Sequence, residues 1–432
     1  MIFELTSSLV AGTLAGYAHY KKANGGTDDH QKIVKIARNC GLVNAEGKEI
    51  RIYRRTKKQS HTEFVYQMPQ GLSSKQFVQK LDNFQDGLNI KKSMPDISLK
   101  DFKLINWNKN VLNQIRVILI QTRKVRKEVE ISFDGMLVFK IYDKPLTDQF
   151  LYDEELLKLC KGWKVPIGLS KTGELIFNDF DEIYNLIVAG SPGYGKSVML
   201  KNIITTLVAN KTKDVKLCLV DLKGGLSFNR FKILEQVETV AKNPKEALEA
   251  LRDVQDRMNN TIEYLLQHGY EDVKEAGIKE RHFTIIDEAA DLFDEKDAVE
   301  IVKDISRRGR GAGFRLVYCT QYATNEVLPS QVRQNCDARL CFKLQTGTAS
   351  RAVLDEEGAE SLPLIRGRAI YRTVEKQIVQ TPFISNSFID ETIKPNITFK
   401  ARGERKEVNE EGNRTSTERR SHTLLIEETE LS

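Results

Sequence analysis

Residues Gly190, Ser191, Pro192, Gly193, Tyr194, Gly195, Lys196 and Ser197 form a GxxxxGK[ST] octet. Glycines let backbone N–H groups curl around phosphate oxygens with no Cβ in the way. The lysine of such an octet reaches the β- and γ-phosphates, and its hydroxyl residue holds Mg²⁺. Here these are Lys196 and Ser197. Further along, Phe283-Thr284-Ile285-Ile286 leads into Asp287-Glu288. A carboxylate at the end of a buried strand beside a phosphate loop can hold the water shell of Mg²⁺, which suits Asp287. Glu288 is placed to polarise a water for attack on a γ-phosphate, which is general-base work. Together the two segments point to ATP hydrolysis with Mg²⁺ rather than to binding alone.

The elements that must position these groups can be read from their flanks. Residues 184–189 form an apolar run of strand type, and residues 198–204 open a helix. Strand, glycine-rich loop, then helix is the context the octet requires. The helix N-terminus adds a dipole that favours negative charge. Further strands are expected at 215–220, 314–319, 338–344 and 368–371, with helices between them, including one at 244–268. This alternation predicts an α/β fold, a doubly wound and mainly parallel sheet.

The chain has 432 residues and a net charge of +6, enough length for two or three domains. The modest positive charge permits contact with nucleic acid or anionic lipid without demonstrating it. Six cysteines show no CxxC pair, which argues against a metal or disulfide framework and for a reducing compartment. Residues 5–20 carry no charged side chain, and Lys21-Lys22 follows. A basic leader is missing, so a secretory signal is not expected. Residues 1–22 are read as a single membrane anchor with the remainder cytoplasmic, a packed first helix being the alternative. Residues 23–150 read as a small α+β accessory domain. It has helices at 31–40 and 74–89 and strands at 50–54, 63–66 and 114–121. Its basic clusters, Arg51, Arg54, Arg55, Lys57 and Lys58, then Arg123, Lys124, Arg126 and Lys127, are either solvated hairpin ends or a DNA patch. Residues 151–395 form the expected ATPase motor, and 396–432, rich in Glu, Arg, Ser and Thr, a disordered tail.

Several ordered segments carry a resemblance. Asp221-Leu222-Lys223-Gly224-Gly225 follows a strand, and Asp287-Glu288-Ala289-Ala290-Asp291-Leu292 follows another. Gly309-Arg310-Gly311-Ala312-Gly313, Thr320-Gln321, and the blocks 349–355 and 358–362 complete the set. Across residues 163–371 the chain resembles the FtsK/SpoIIIE family of DNA translocases. The resemblance implies a RecA-like ATPase that closes into a homo-oligomeric ring, usually a hexamer, around DNA, with ATP between subunits. Double-stranded DNA is the favoured track. By family position Arg310 is the arginine finger offered to a neighbouring subunit, and Gln321 is a polar sensor near the γ-phosphate. The resemblance also places Arg333 and Arg351 where family members face the DNA-lined pore. Their residue-level alternatives are a surface arginine among Arg307, Arg308 and Arg315, a strand-end amide, and salt bridges within the domain. The family's Thr-Gln-Arg-Pro is Thr320-Gln321-Tyr322-Ala323 here, so one expected pore arginine is replaced by Tyr322. No winged-helix module is expected after the motor. The short form resembles mobile-element members that act as coupling proteins in conjugative transfer. Their partners would be a relaxase, transfer-channel proteins and the cell membrane. A segregation or packaging translocase without a channel, and a non-translocating ATP-dependent recruiter of a relaxase complex, remain as alternatives.

Overall fold

The computed structural model describes residues 29–89, 93–95, 122–124, 127–142, 144–324 and 326–397. The expected anchor (1–22), the expected strand at 114–121 and the tail from residue 398 lie outside the described residues, as does Arg126.

The first elements in the chain are α1 (Asp29–Asn39), β1 (Arg51–Lys57), β2 (His61–Gln67), α2 (Ser74–Gln79) and α3 (Leu81–Leu88). A ribbon of β3 (Ser93–Pro95) and β4 (Thr122–Lys124) follows, then a hairpin of β5 (Glu128–Asp134) and β6 (Met136–Tyr142). The antiparallel sheet has the order β1-β2-β6-β5. Phe77 and Phe84 meet Phe139 edge-on, with ring centroids 6.5 and 5.0 Å away, and so seat α2 and α3 on the sheet. The helix expected over 74–89 is two helices. The Lys80 N–H bonds the Phe77 carbonyl, three residues back, at 3.1 Å, which tightens and ends the first helix. The basic cluster on β1 lies on an exposed edge strand, where Arg54 and Lys58 both pair with Glu63. Such charges keep a sheet edge from pairing with another chain.

The larger, second part of the fold has α4 (Glu154–Leu159), β7 (Lys164–Ser170), β8 (Leu175–Asp179), β9 (Leu186–Ala189), α5 (Lys196–Asn210), β10 (Val215–Val220) and β11 (Val237–Ala241). Then come α6 (Pro244–His268), β12 (Arg281–Ile286), α7 (Lys296–Ala312), β13 (Phe314–Thr320), α8 (Ser330–Gln334) and β14 (Ala338–Phe342). The unit closes with α9 (Gly347–Leu354), β15 (Arg368–Arg372), β16 (Lys376–Gln380) and α10 (Asn386–Ile393). The ten strands form one sheet in the order β11-β10-β12-β13-β9-β14-β15-β16-β7-β8. From β11 to β14 all pairs are parallel. From β14 to β8 they are antiparallel. The central parallel strands are rich in apolar residues because both faces are covered. One core joins the sheet to α5 and α10, and the other joins it to α6 and α7. The mainly parallel sheet is thus as expected, with an antiparallel extension that was not. The chain enters and leaves this unit side by side. The Tyr152 N–H donates to the Phe383 carbonyl at 2.9 Å, and the Phe383 N–H to the Phe150 carbonyl at 2.7 Å.

Candidate nucleotide site

Ligands of parallel α/β sheets bind at the carboxyl ends of the strands, and the predicted groups converge there. In β9, Ala189 is in register with Thr320 of β13 on one side and Cys341 of β14 on the other. Each neighbour then pins one residue of the glycine-rich loop. The Gly190 N–H donates to the Thr320 carbonyl at 3.3 Å, and the Ser191 N–H to the Lys343 carbonyl at 2.9 Å. A Cβ on Gly190 would lie 2.6 Å from the Cβ of Phe342, so the strand passes where only glycine fits. Gly193 and Gly195 take φ of 83° and 124°, which turns the loop back onto α5. That helix starts at Gly195 without a side-chain cap. Its first N–H groups remain available to an anion.

Lys196 is buried, and its ammonium donates to the carbonyls of Gly190 and of Ser191 (3.1 Å to the latter). Burial lowers its pKa, and Lys223 adds to this, while Cys319, Glu288 and Asp287 oppose it. Ser197, next in the chain, is exposed.

The acidic pair follows β12, which is separated from β9 by β13 alone. Two strand spacings put it roughly 10 Å from the loop strand, room for a phosphate and a water. Both carboxylates are buried. Asp287 accepts from the Ser227 hydroxyl at 2.7 Å. Burial raises its pKa, against the Ser227 bond and Lys223. Glu288 accepts from the Thr320 hydroxyl at 2.9 Å and from the Gln321 N–H at 3.0 Å, and Lys223 Nζ lies 3.6 Å from its other oxygen. Gln321 therefore meets Glu288 through its backbone. Thr320, Ser227 and Lys223 are site residues that sequence reading did not assign. The signal available was a hydroxyl at the end of β13 and the Asp-x-Lys-Gly segment after β10.

The residues present fit a nucleoside triphosphate with Mg²⁺. The loop turns through three glycines at positive φ and opens onto an uncapped helix N-terminus, with the Lys196 ammonium beneath it. Among the described residues no cluster of three or more His, Cys, Asp or Glu could hold a metal by itself. That suits Mg²⁺, which uses one or two protein ligands and completes its shell with phosphates and water.

Arg310 is in the last turn of α7, at the opposite end of β13 from the loop. Seven residues of strand, roughly 20 Å, separate it from its own phosphate site. The arginines around it are engaged. Arg307 and Arg308 pair with Asp304. Arg315 is buried, its pKa pushed down to about 10 by burial, and it donates to the Phe180 carbonyl and to Asp181. Arg310 has no carboxylate partner among the described residues, and its guanidinium rests 4.8 Å from the Tyr184 ring centroid. Beside it is an open cavity of about 280 Å³ lined by Tyr184, Glu271, Asp272 and Lys274.

The two arginines assigned to a DNA face are not alike. Arg333 on α8 lies 3.5 Å from Asp355 and donates to the Ala352 carbonyl at 3.0 Å, which holds it within the domain. Arg351 on α9 pairs with Glu357 near the surface. Tyr322, in the place of the family arginine, is exposed.

Comparison with known proteins agrees with this geometry. The FtsK/SpoIIIE family model matches residues 161–356. DNA translocase FtsK of Streptococcus pneumoniae is 28% identical over 264 residues, 56% of this chain and 34% of that protein. DNA translocase SpoIIIE of Bacillus subtilis is 27% identical over 356 residues, 75% of this chain and 44% of that protein. The chain thus spans less than half the length of the curated relatives it matches. Among solved structures, the pCW3 conjugation coupling protein TcpA, in a monomer form with ATPγS, superposes with a TM-score of 0.56 at 16% identity. The match covers 85% of this chain and 99% of that one. EssC (ATPases 2 and 3) from Geobacillus thermodenitrificans gives 0.51 at 14% identity, over 58% of this chain and 51% of that one. These likenesses show the RecA-like P-loop fold. The glycine loop, the acidic pair and the strand that separates them therefore lie within residues 161–356, the stretch of this chain that matches the FtsK/SpoIIIE family model.

Proposed function

We propose that this chain is an ATP-driven DNA translocase, a membrane-tethered coupling protein that moves plasmid or mobile-element DNA in conjugative transfer. The observation that carries the reading is Glu288, buried at the end of β12 and aimed by Thr320 and Gln321 toward the glycine-rich loop. A chain that only bound nucleotide would not need a buried carboxylate fixed there. The loop N–H groups and Lys196 bind the phosphates. Ser197 and, through its water shell, Asp287 would hold Mg²⁺, which would neutralise charge on the phosphates. Glu288 takes a proton from water as the water oxygen attacks the γ-phosphorus and the bond to the β-phosphate oxygen breaks. Arg310, too far from its own site, serves a neighbouring subunit in a ring, where a guanidinium spreads over the transferring phosphoryl oxygens. Arg351 and, after rearrangement of its ion pair, Arg333 would meet DNA phosphates. Sequence relatives that are DNA translocases, and a conjugation coupling protein that shares the fold, support this reading.

The test is the ATPase rate of the full chain alone, with double-stranded DNA and with single-stranded DNA. Stimulation by double-stranded DNA is expected. Turnover indifferent to both forms would leave an ATP-dependent recruiter instead. The anchor at residues 1–22 is tested separately. The full chain should pellet with membranes and resist high-salt extraction, which strips electrostatically held proteins. Among the described residues no helix is long and apolar enough to cross a membrane.

A further inference from the structure

The loop after β10 carries a second lysine to the phosphate site. Asp221, at the strand end, is fully buried and accepts from the N–H groups of Ser227 (2.6 Å), Phe228 (3.1 Å) and Lys223 (3.3 Å). One carboxylate thus fastens both ends of the turn, with Gly224 and Gly225 at positive φ between them. From this fixed turn two side chains cross to the acidic pair. Ser227 donates to Asp287, and Lys223 approaches Glu288. The other partners of Glu288 are uncharged, so Lys223 is the cation paired with it among the described residues. Its side chain is 40% exposed while that of Glu288 is 2% exposed, so the ammonium reaches in from the open cleft. At 3.6 Å the contact is longer than the 2.7–2.9 Å of a tight charged hydrogen bond. A loose pair made by a flexible four-carbon stem is easily exchanged. Thr320 and the Gln321 N–H keep Glu288 in place without it.

We propose that Lys223 is a γ-phosphate sensor: it pairs with Glu288 when no terminal phosphate is present and moves to the γ-phosphate of a bound nucleoside triphosphate, which opens a Glu288 oxygen to water. The proposal rests on the nucleotide reading above. It differs from the role of Lys196, which holds the loop and both outer phosphates. Lys223 distinguishes triphosphate from diphosphate.

The experiment measures equilibrium affinities of the full chain for ATPγS and for ADP with Mg²⁺, by displacement of a fluorescent ADP analogue. The wild type should prefer ATPγS. Lys223→Ala should lose roughly 10- to 100-fold in ATPγS affinity, the worth of one charged hydrogen bond, and keep its ADP affinity, which also reports correct folding. Lys223→Met, which retains the aliphatic stem, should show the same split, and Lys223→Arg should restore part of the preference. Equal losses for both nucleotides, unchanged affinities, or a wild type with no preference would overturn the proposal. A wild type that binds neither nucleotide would instead remove the nucleotide reading itself.

Discussion

Glu288 and Lys196 divide the work of the site, and their variants should fail differently. Lys196→Ala removes the phosphate contact, so nucleotide affinity and turnover should fall together. Glu288→Gln keeps the hydrogen bonds from Thr320 and Gln321 within reach of its amide oxygen but has no proton acceptor. It should bind ATP at close to wild-type affinity and lose roughly 10²- to 10⁴-fold in turnover, the usual worth of a general base. Wild-type turnover in Glu288→Gln, measured by phosphate release, would remove that assignment. Gly190 makes a harder steric statement. An alanine there must push aside Phe342, in backbone contact on the next strand. Gly190→Ala should cost roughly 1–3 kcal/mol of overpacking, seen as a lower urea midpoint, together with weakened nucleotide binding. An unchanged midpoint would mean that β14 yields freely. At this scale the sequence was most readable where one residue type answers one geometric need, as at the glycines and the Asp-Glu pair. It was least readable where a role depends on partners distant in the chain. That Arg333 is tied to Asp355 whereas Arg310 rests on Tyr184 is a matter of folding.

At the scale of elements, α7 presents Arg310, and Asp304 fixes α7 to its neighbours. Its carboxylate takes Arg308 and Arg307 on α7 itself and Gln255 on α6. The Arg308 hydrogen bond, aided by Gln255 and Arg307 against partial burial, holds Asp304 down at about 2. A carboxylate depressed in the folded state stabilises above its unfolded pKa and loses that contribution as pH falls through its folded pKa. Asp304→Asn should therefore be less stable than the wild type at neutral pH. The gap should close on acidification toward a pH of about 2, as followed by urea denaturation. A gap constant with pH would show that the charge of Asp304 is not what stabilises this cluster. The element pattern itself was largely legible. The helix over 244–268 begins with Pro244 after Asn243, whose side chain caps it, and ends at Gly269 in the left-handed region, so local chemistry marks both ends. The parallel strands other than β11, whose Val237–Ala241 holds an exposed Glu238, were visible from their apolar content. Of the hairpin strands β5–β6, β7–β8 and β15–β16, β15 alone was expected, at 368–371, and the other five were missed. Their residues are half-exposed or interrupted by Pro166 and Gly168, and their pairing is set by tertiary contacts more than by local pattern.

Assembly belongs to the whole molecule. If Arg310 completes a neighbour's site, inactive Arg310→Ala and inactive Lys196→Ala proteins mixed in one ring should recover part of the ATPase. Some junctions would then join an intact loop to an intact arginine. No recovery, with co-assembly shown by pull-down, would place Arg310 outside the site.

The segments that carry the chain into and out of the larger part of the fold are bonded to one another at residues 150–152 and 383, and they are fastened to α5 by the Tyr152–Thr206 hydroxyl contact and by the Asn202 amide, which donates to the Pro382 carbonyl at 2.7 Å. Tension between these two ends would therefore meet that small clasp before the strands that hold the phosphate loop. In a forced-extension experiment with handles at residues 150 and 384, the clasp should open first, at low force. A tight-binding ATP analogue should leave that first event unchanged and raise only the later rupture of the sheet. A load applied through these two ends would thus be borne by the clasp before it reached the strands of the sheet.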